Sequence, residues 1–292
     1  MPLLNGLVCV WNALSVVCGG LVALTLLNVR SAVIRLIGNA GPTCSLGSMS
    51  DLVHNQQPRT DPGAVRLAVI GESPGLGEVS WRVCPAGHGF EGWRWQRGVK
   101  VETRNCPSCG SAKWASRPEP FRGPSGRMLD WLLREAGLPR ERCFIGNAAP
   151  RLCMPDELNR PDGIPLRVGH SLLADELAAF RPNCVLLLGN TALRMFHPWR
   201  WAAEAAANEL GAAPDLLGEV EHEPESVSAE PACKITDWRG SIFSAGPLSP
   251  LPGVKCVAAY HPAAVLRQPV WQPLLIFDVT RAVQEASSPE LN

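Results

Sequence analysis

The sequence has no overall charge imbalance and is poor in lysine. Its 292 residues include 27 basic and 27 acidic side chains, which gives a formal net charge of zero. Only four basic residues are lysines, at positions 100, 113, 234 and 255. Nucleic-acid binding therefore cannot depend on overall charge and needs a local patch, in which arginine supplies most of the cations. What the sequence does contain is 46% hydrophobic residues, enough to bury one sizeable core and to exclude a disordered chain.

The chain begins with a long stretch that lacks charge. No charged residue occurs between Pro2 and Val29, and a segment of that length can cross a bilayer. One interpretation is a membrane anchor, and membrane association is expected only in that case. The other, which we favour, is an over-extended start, because Met49 opens a polar leader just before the first core strand. In both cases we expect residues 1–63 to lie outside the core.

From residue 64 onward, short apolar runs alternate with amphipathic segments. The runs predict buried strands and the amphipathic segments predict helices. The predicted strands are Val65–Ile70, Cys143–Gly146, Cys184–Leu188 and Val254–Ala259, and the predicted helices are Arg127–Ala136, Ser171–Phe180 and Pro273–Gln284. This alternation predicts an α/β fold over residues 64–292, a three-layer α/β/α sandwich with a central parallel sheet. Ligands of such sheets bind beyond the carboxyl ends of the strands.

Two segments interrupt the alternation of strands and helices. Residues 81–118 separate the first strand from its helix and are rich in Cys, Trp and Arg. Residues 199–231 are rich in Ala and then in Glu, which is typical of a solvated, partly disordered insertion. The eleven cysteines are spread unevenly, and the spacing of those in the first segment favours metal binding in a reducing cytoplasm over disulfides.

The first inserted segment contains two close pairs of metal-ligating residues. The four candidate ligands are Cys84, His88, Cys106 and Cys109. Three cysteines and one histidine complete a tetrahedral zinc shell with no open position, so we expect a structural zinc ion in a zinc ribbon. A short hairpin is predicted between the pairs, on Trp93, Trp95, Val99 and Val101. The arginines and tryptophans of the segment are typical of either a DNA-contacting module or a solvated charged face.

Four polar or glycine-rich loops follow or connect the predicted elements. In chain order they are Gly71–Glu78, Pro120–Gly126, Ile145–Asn147 and Tyr260–Arg267. In this order they resemble the uracil-DNA glycosylase superfamily, above all its iron–sulfur type, whose pattern runs GExPGxxE, PFVGxxGxLL, ITN and HPSxLLR. The segment Leu188–Leu193 also resembles that family's LGxxAL. The resemblance covers about Val65 to Val283, and it implies hydrolysis of the N-glycosidic bond of a base flipped out of DNA.

The chemistry of that reaction explains the residue types in the loops. The sugar becomes oxocarbenium-like while the departing base gathers negative charge, so the site needs a donor near the base and an anion near the sugar. His261, which follows a predicted strand, is expected to be the donor. By resemblance, Glu78 is the carboxylate near the sugar and the attacking water, and Glu72 is the acidic position of the first loop.

The resemblance also implies residues that hold the flipped base and the DNA. Phe121 stacks on the base, Asn147 pairs with its polar edge, and the first loop binds the base or a phosphate through the backbone. The loop residues that we assign to this binding are Gly71, Pro74 and Gly75. Residues assigned to DNA contact are Ser125 and Gly126 of the second loop, and Leu266 and Arg267, which match the loop that wedges into the duplex.

The sequence departs from the iron–sulfur type in its cysteines. Those enzymes place two cysteines before the first strand and two around the third motif, whereas here Cys44 stands alone and only Cys153 is near a matching position. We therefore expect no iron–sulfur cluster and no small-molecule cofactor. From the resemblance as a whole we expect a glycosylase that acts on a deaminated base in DNA, with uracil as the expected base. Two alternatives stay open. One is a member that binds DNA or a modified base without turnover, because the insertion separates the first loop from Phe121. The other is a zinc-ribbon interaction protein.

Overall fold

The computed structural model describes residues 52–158, 164–197 and 233–290. The apolar stretch that ends at Val29 and the insertion at residues 199–231 both lie outside these ranges. The strands are β1 Leu67–Gly71, β2 Trp81–Val83, β3 Gly89–Glu91, β4 Trp93–Gln96, β5 Val99–Glu102, β6 Ala115–Ser116, β7 Phe144–Asn147, β8 Cys184–Leu188, β9 Ile242–Ser244 and β10 Lys255–Ala259. The helices are α1 Leu76–Val79, α2 Pro124–Glu135, α3 Pro155–Leu158, α4 Ile164–Phe180, α5 Asn190–Phe196, α6 Ile235–Trp238, α7 Pro262–Arg267 and α8 Gln272–Glu285. No helix within the described ranges is long and apolar enough to cross a membrane.

Five strands form the central sheet, in the order β7-β1-β8-β10-β9. Strands β7, β1, β8 and β10 are parallel to one another, and β9 pairs antiparallel with β10. The expectation of a wholly parallel sheet is therefore corrected, because the sheet is mixed. Strand β9 has three residues and no buried apolar run, so no sequence pattern marks it. An antiparallel edge strand on an otherwise parallel sheet is common.

The four parallel strands form the centre of the core. Every one of their residues is buried, as near-continuous apolar runs predict. The predicted strand Cys184–Leu188 has the bounds of β8, and the other three predicted strands agree with the structure to within two residues. Helix α2 buries Leu129, Leu132 and Leu133 on the predicted face. It begins three residues earlier than predicted, at Pro124, because proline suits the first position of a helix.

The connections between strands place helices on both faces of the sheet. Helix α2 lies between β1 and β7 in the chain, and α4 lies between β7 and β8. These two connections cross the sheet in opposite directions. Since such crossovers are right-handed, α2 and α4 pack on opposite faces. The carboxyl ends of the four parallel strands are left open between the two helical layers.

The polar leader differs from the expectation that it lies outside the core. The Val53 side chain is buried, and its N–H donates to the Pro150 carbonyl at 2.7 Å. Gln56 and Ile145 exchange both of their backbone hydrogen bonds, at 2.7 and 2.9 Å, across an antiparallel bridge. The physical reason is that β7 is an edge strand, whose backbone groups need partners. The leader supplies those partners, so residues 53–60 pack with the domain.

The first insertion, residues 81–118, is called the inserted ribbon below. It contains a small sheet in the order β3-β2-β6 and the hairpin β4-β5. The hairpin is present where the alternating tryptophans and valines predict it, with Trp93 opposite Glu102. Backbone N–H groups of Gly92 and Trp93 donate to Ser80 O and Oγ at 2.8 and 2.9 Å. The inserted ribbon is thereby attached directly to the end of the first loop.

Candidate active site at the carboxyl edge of the sheet

The ends of the parallel strands bring most of the predicted site residues to one edge. Gly71 at the end of β1 is the register partner of Asn147 at the end of β7. Strand β8 ends immediately before Gly189, and β10 ends one residue before Tyr260, which precedes His261. The first, third and fourth predicted loops therefore begin side by side. The second loop joins them through Phe121, whose ring stacks beside His261.

His261 is held in one orientation at the start of α7. Its side-chain Nδ1 accepts the Ala263 N–H at 3.1 Å and caps the helix. Burial lowers the pKa of His261 below its usual range; Glu72 opposes this shift, and Arg267 adds to it. The ring is therefore neutral at pH 7, and because Nδ1 is an acceptor, the proton sits on Nε2. This arrangement provides an N–H donor without a positive charge.

Phe121 is the most constrained residue of the site. Its side chain is 2% exposed, and its ring lies 5.6 Å from the His261 ring, at an interplanar angle of 29°. The ring also packs so closely on Gly71 that a Cβ there would approach Cζ to 2.4 Å. A Cβ on Gly126 would lie 1.7 Å from the Phe121 carbonyl oxygen, so the helix start needs glycine at this position. Stacking of a base on Phe121 requires its side chain to leave this buried position.

Arg140 positions the backbone of the second loop, and no sequence motif marks it as part of the site. The side chain is 4% exposed, and its Nη1 and Nη2 donate to the carbonyls of Phe121 and Pro120 at 2.9 and 2.5 Å. Nη1 also reaches Asp130 at 3.0 Å, and Nε donates to the Gln56 side chain at 2.9 Å. These contacts fix Phe121, whose backbone φ of 51° is in the left-handed region. In the sequence, Arg140 belongs to a polar run that looks solvent-exposed.

Asn147 presents its side-chain amide at the edge of the sheet. The residue is 4% exposed, and its backbone N–H donates to Asn55 Oδ1 at 3.3 Å. Asn55 belongs to the leader and is fixed in turn by a 2.8 Å hydrogen bond from its Nδ2 to Glu176. Among the residues that the structure describes, nothing hydrogen-bonds to the Asn147 side-chain amide. That amide is available to the polar edge of a ligand.

Glu72 is anchored beside His261. Its Oε1 accepts the Thr191 N–H at 3.1 Å, in the first turn of α5, and lies against Gly189. Its own carbonyl accepts the Ala149 N–H at 2.9 Å, which fixes the backbone of the first loop. The Glu72 charge raises the pKa of His261, against the larger effect of burial. Glu72 thus places a carboxylate close to the ring.

Glu78 lies in a different environment from Glu72. It is 8% exposed, and its Oε2 accepts the Gly75 N–H at 3.3 Å. Burial raises the pKa of Glu78 to about 8, although backbone hydrogen bonds from Gly75 and Phe121 oppose the shift. The nearby Glu91 of the inserted ribbon raises it further. At neutral pH this group is therefore a neutral carboxyl that closes the first loop, whereas the resemblance implies a carboxylate.

The remaining predicted site residues lie around the same edge. Pro74 is buried, and Gly75 is exposed at the start of α1. Ser125 is half-buried in the first turn of α2. Leu266 is 43% exposed and Arg267 is exposed, both at the end of α7, which begins next to His261. An apolar side chain and a cation therefore protrude beside the site.

A buried carboxylate, Glu119, ties three segments together and was not identified by any motif. Arg59 of the leader, Arg117 of the inserted ribbon and Arg122 of the second loop pair with it, at 3.1, 2.9 and 2.8 Å. Burial raises the pKa of Glu119, but the three guanidinium groups outweigh burial and lower it below its usual range. These four residues are called the Glu119 cluster below.

The four predicted metal ligands do come together. Ligand atoms of Cys84, His88, Cys106 and Cys109 all lie within 4.8 Å of one another. Cys84 Sγ is 3.6 Å from Cys109 Sγ, and Cys106 Sγ is 3.8 Å from His88 Nδ1. A tetrahedral zinc ion with Zn–S bonds of about 2.3 Å separates its sulfur ligands by about 3.8 Å. The donor set and its spacing fit one tetrahedral metal ion.

The mixed sheet defines an α/β protein, a class in which ligands bind beyond the carboxyl ends of the parallel strands. Comparison with known families identifies which one. Residues 58–274 match the family model described as the Uracil DNA glycosylase superfamily, and the chain belongs to that superfamily. The family predicted from the four loops is thus confirmed. The chain is similar to the Type-4 uracil-DNA glycosylase of Archaeoglobus fulgidus, with 28% identity over 151 residues, or 52% of this chain. The match spans 60% of that relative's length.

Proposed function

We propose that this protein hydrolyses the N-glycosidic bond of a deaminated base in DNA, with uracil as the expected base, as a step of base-excision repair. Membership of the superfamily supports a DNA glycosylase-like hydrolase in general. The observation that carries the proposal is the neutral His261, whose Nε2–H lies at the same sheet edge as the open Asn147 amide. The His261 Nε2–H can donate a hydrogen bond to a departing anionic base, and the Asn147 amide can pair with the polar edge of that base.

The catalytic step follows from these two groups. As the bond between the sugar and the base breaks, negative charge develops on the base, and the His261 Nε2–H donates a hydrogen bond to it. Asn147 holds the base edge before and during this step. The sugar becomes cationic, and we assign Glu72 as the anion that faces it, because its carboxylate is anchored beside His261. A water molecule then bonds to the cationic sugar carbon and releases a proton, which neutralises the anionic base.

Glu78 and Phe121 have supporting roles in this proposal. With its pKa near 8, Glu78 is protonated at neutral pH and keeps the first loop closed through Gly75. Phe121 forms the apolar side of the base site and stacks on the base once its own side chain leaves its buried position. The backbone of Gly71, Pro74 and Gly75 borders the same site.

Access to the bond requires the base to leave the duplex. Leu266 is exposed beside the site, and we assign it as the side chain that fills the space left in the stack. Arg267, adjacent and exposed, contacts the phosphate backbone. Ser125 and Gly126, at the start of α2, contact the strand on the other side of the site.

We further propose that the metal of the inserted ribbon is a structural zinc ion, held by Cys84, His88, Cys106 and Cys109. Zinc would stabilise the ribbon and would take no part in hydrolysis, because the four ligands leave no open position. No iron–sulfur cluster and no redox cofactor are included in the proposal. The free cysteines among the described residues fit a cytoplasmic protein.

A second candidate function is binding of DNA or of a modified base without turnover. It is favoured by the burial of Phe121, which blocks stacking as the side chain stands. Uracil-containing oligonucleotide, treated with protein and then with alkali, separates the candidates. Strand cleavage that depends on His261 supports the glycosylase, and binding without cleavage supports the second candidate. If the protein neither binds nor cleaves, the third interpretation, a zinc-ribbon interaction protein, is left.

A further inference from the structure

The inserted ribbon carries an excess of positive charge, although the net charge of the whole chain is zero. Residues 81–118 contain seven basic residues and two acidic ones, while the full chain has equal numbers of both. The excess of five positive charges lies in fewer than forty residues, attached at Ser80 to the end of the first loop. A local basic excess at the rim of a DNA site is the pattern expected of a phosphate-binding surface.

Several cations of the inserted ribbon are committed to internal contacts. These are Arg82 and Arg104, which share Glu102, Arg117, which pairs with Glu119, and Lys100, which lies over Trp93. Arg94 differs from them, because its side chain is exposed and no hydrogen bond or ion pair to it occurs within the described ranges. An exposed guanidinium without a carboxylate partner is available to an external anion.

Arg94 lines a cleft of about 660 Å³ between the inserted ribbon and the first two loops. Residues that line it include Arg94, Thr103 and Pro107 on the ribbon side and Gly75, Ser125 and Arg127 on the domain side. Arg127, in the first turns of α2, is exposed and likewise has no side-chain partner in the part of the chain that the structure describes. Arg122 also lines the cleft but is committed to Glu119. Two acidic residues, Glu78 and Glu91, also line the cleft, and the Glu91 carboxyl lies against Gly77 and Gly123.

We propose that this cleft binds the sugar-phosphate backbone of the DNA strand that flanks the flipped nucleotide, with Arg94 and Arg127 as phosphate contacts. The inference rests on the proposed function for its choice of DNA. Two free guanidinium groups stand on opposite sides of the cleft, and each offers a planar fork that matches a phosphate. Gly75, which we assign to the base site, and Ser125, which we assign to strand contact, also line the cleft, so the strand would pass from the base site directly into it. The ribbon thereby extends the DNA-binding surface.

The salt dependence of DNA binding tests this proposal. Dissociation constants are measured across a range of salt concentrations for a uracil-containing duplex, in a His261→Ala background in which little product forms during the measurement. Arg94→Gln and Arg127→Gln are compared with the parent. The association constant falls as salt rises, and each lost phosphate contact should make the slope of its logarithm against log salt shallower by about 0.9. The slope of the double variant should become shallower by about twice that amount. The matched control is Arg134→Gln, since Arg134 is equally exposed but lies at the far end of the same helix, α2.

The outcomes separate this inference from the proposed function. Reduced slopes in both cleft variants, with Arg134→Gln unchanged, support the cleft even if the His261-intact protein releases no base. If the slopes of all three variants equal that of the parent, the proposed role of the cleft is overturned. Base release by the His261-intact protein would then leave the proposed function intact. A lower single-turnover excision rate of Arg94→Gln at saturating protein, with an unchanged slope, would also overturn the inference, because it would place Arg94 in the chemistry.

Discussion

At the scale of single residues, burial neutralises one acid and one base that contact Phe121, Glu78 and His261. Burial lowers the pKa of His261 and raises the pKa of Glu78 to about 8, so both side chains are uncharged at pH 7. Glu72 has a different surrounding, since its Oε1 accepts the Thr191 N–H at the start of α5. Two glutamates of one loop therefore lie in separate environments, which their spacing in the sequence could not distinguish.

The neutral state of Glu78 leads to a direct test. Glu78→Gln replaces a protonated carboxyl with a neutral group of the same shape, so the single-turnover rate at pH 7 should stay within about threefold of wild type, a change below about 1 kcal/mol. Glu72→Gln, the matched control, removes the proposed anion and should lower the rate by about 100-fold. If Glu78→Gln loses as much as Glu72→Gln, and the wild-type rate rises through pH 8, ionised Glu78 is the active form.

The same pKa predicts how stability changes with pH. Because folding raises the pKa of Glu78 from the usual carboxyl range to about 8, the folded protein binds more protons than the unfolded chain between these values. The contribution of Glu78 to the free energy of unfolding therefore falls as pH rises from about 4.5 to about 8, and is constant above pH 8. Urea unfolding of wild type and Glu78→Gln over this range measures it. A stability difference that does not vary with pH would show that Glu78 ionises normally.

Some functional residues could not be found from the sequence because they act through other residues. Phe121, Asn147 and His261 stand in loops with motifs, and the structure gathers them at one edge. Arg140 and Asn55 hold the backbones of Phe121 and Asn147, but their positions are defined only by segments that meet in three dimensions. Neither apolar periodicity nor ligand spacing carries that information.

At the scale of elements, the strands were predictable because buried parallel strands are nearly continuous apolar runs. The edges of the sheet were not. The leader bridges to β7 through Gln56, and the short β9 covers the opposite edge, both with sequences that lack such runs. Backbone hydrogen bonds determine these pairings, and almost any side chain permits them.

The inserted ribbon should depend on its metal while the central sheet does not. Purified protein should contain about one zinc ion per chain, and Cys106→Ser should lose it and unfold the ribbon. Circular dichroism measures this unfolding: the near-ultraviolet tryptophan signal should be lost while the far-ultraviolet helix signal is retained. Cys153→Ser, which changes a cysteine outside the group, should keep its zinc. Iron-containing brown protein, or zinc retained in a Cys84/Cys106 double variant, would refute the ligand assignment.

Helix α7 gives a prediction about strand separation. Leu266→Ala should lower the single-turnover rate on duplex DNA by about 10-fold, equal to about 1.4 kcal/mol, because the wedge no longer fills the stack. On single-stranded DNA, which has no opposing stack, the rate should be unchanged. Val270→Ala is a matched control, since Val270 is another exposed apolar residue, beyond the end of α7. Equal losses on both substrates would show that Leu266 contributes to chemistry or folding and not to flipping.

At the scale of the whole molecule, electrical neutrality conceals an uneven distribution of charge. The Glu119 cluster joins the leader, the inserted ribbon and the second loop, and so keeps the most basic segment next to the site. With no net charge on the chain, any DNA binding needs a local patch. Which arginines are free to form it depends on ion pairs that only the folded chain defines.

The central claim is that His261 stabilises charge that exists only in the transition state. Replacing such a donor lowers the rate of the chemical step and leaves the affinity for the substrate nearly unchanged. His261→Ala should therefore reduce the single-turnover rate of uracil release by about 100- to 1,000-fold, which is about 2.7–4 kcal/mol. His54→Ala, which removes an exposed histidine of the leader, is the control and should behave as wild type.

The most direct measurement is the single-turnover rate of His261→Ala on a uracil-containing duplex, beside its dissociation constant for the same DNA. The account predicts the large loss of rate with the dissociation constant unchanged to within about twofold. A wild-type rate in His261→Ala, or a loss of rate explained entirely by weaker binding, would contradict it.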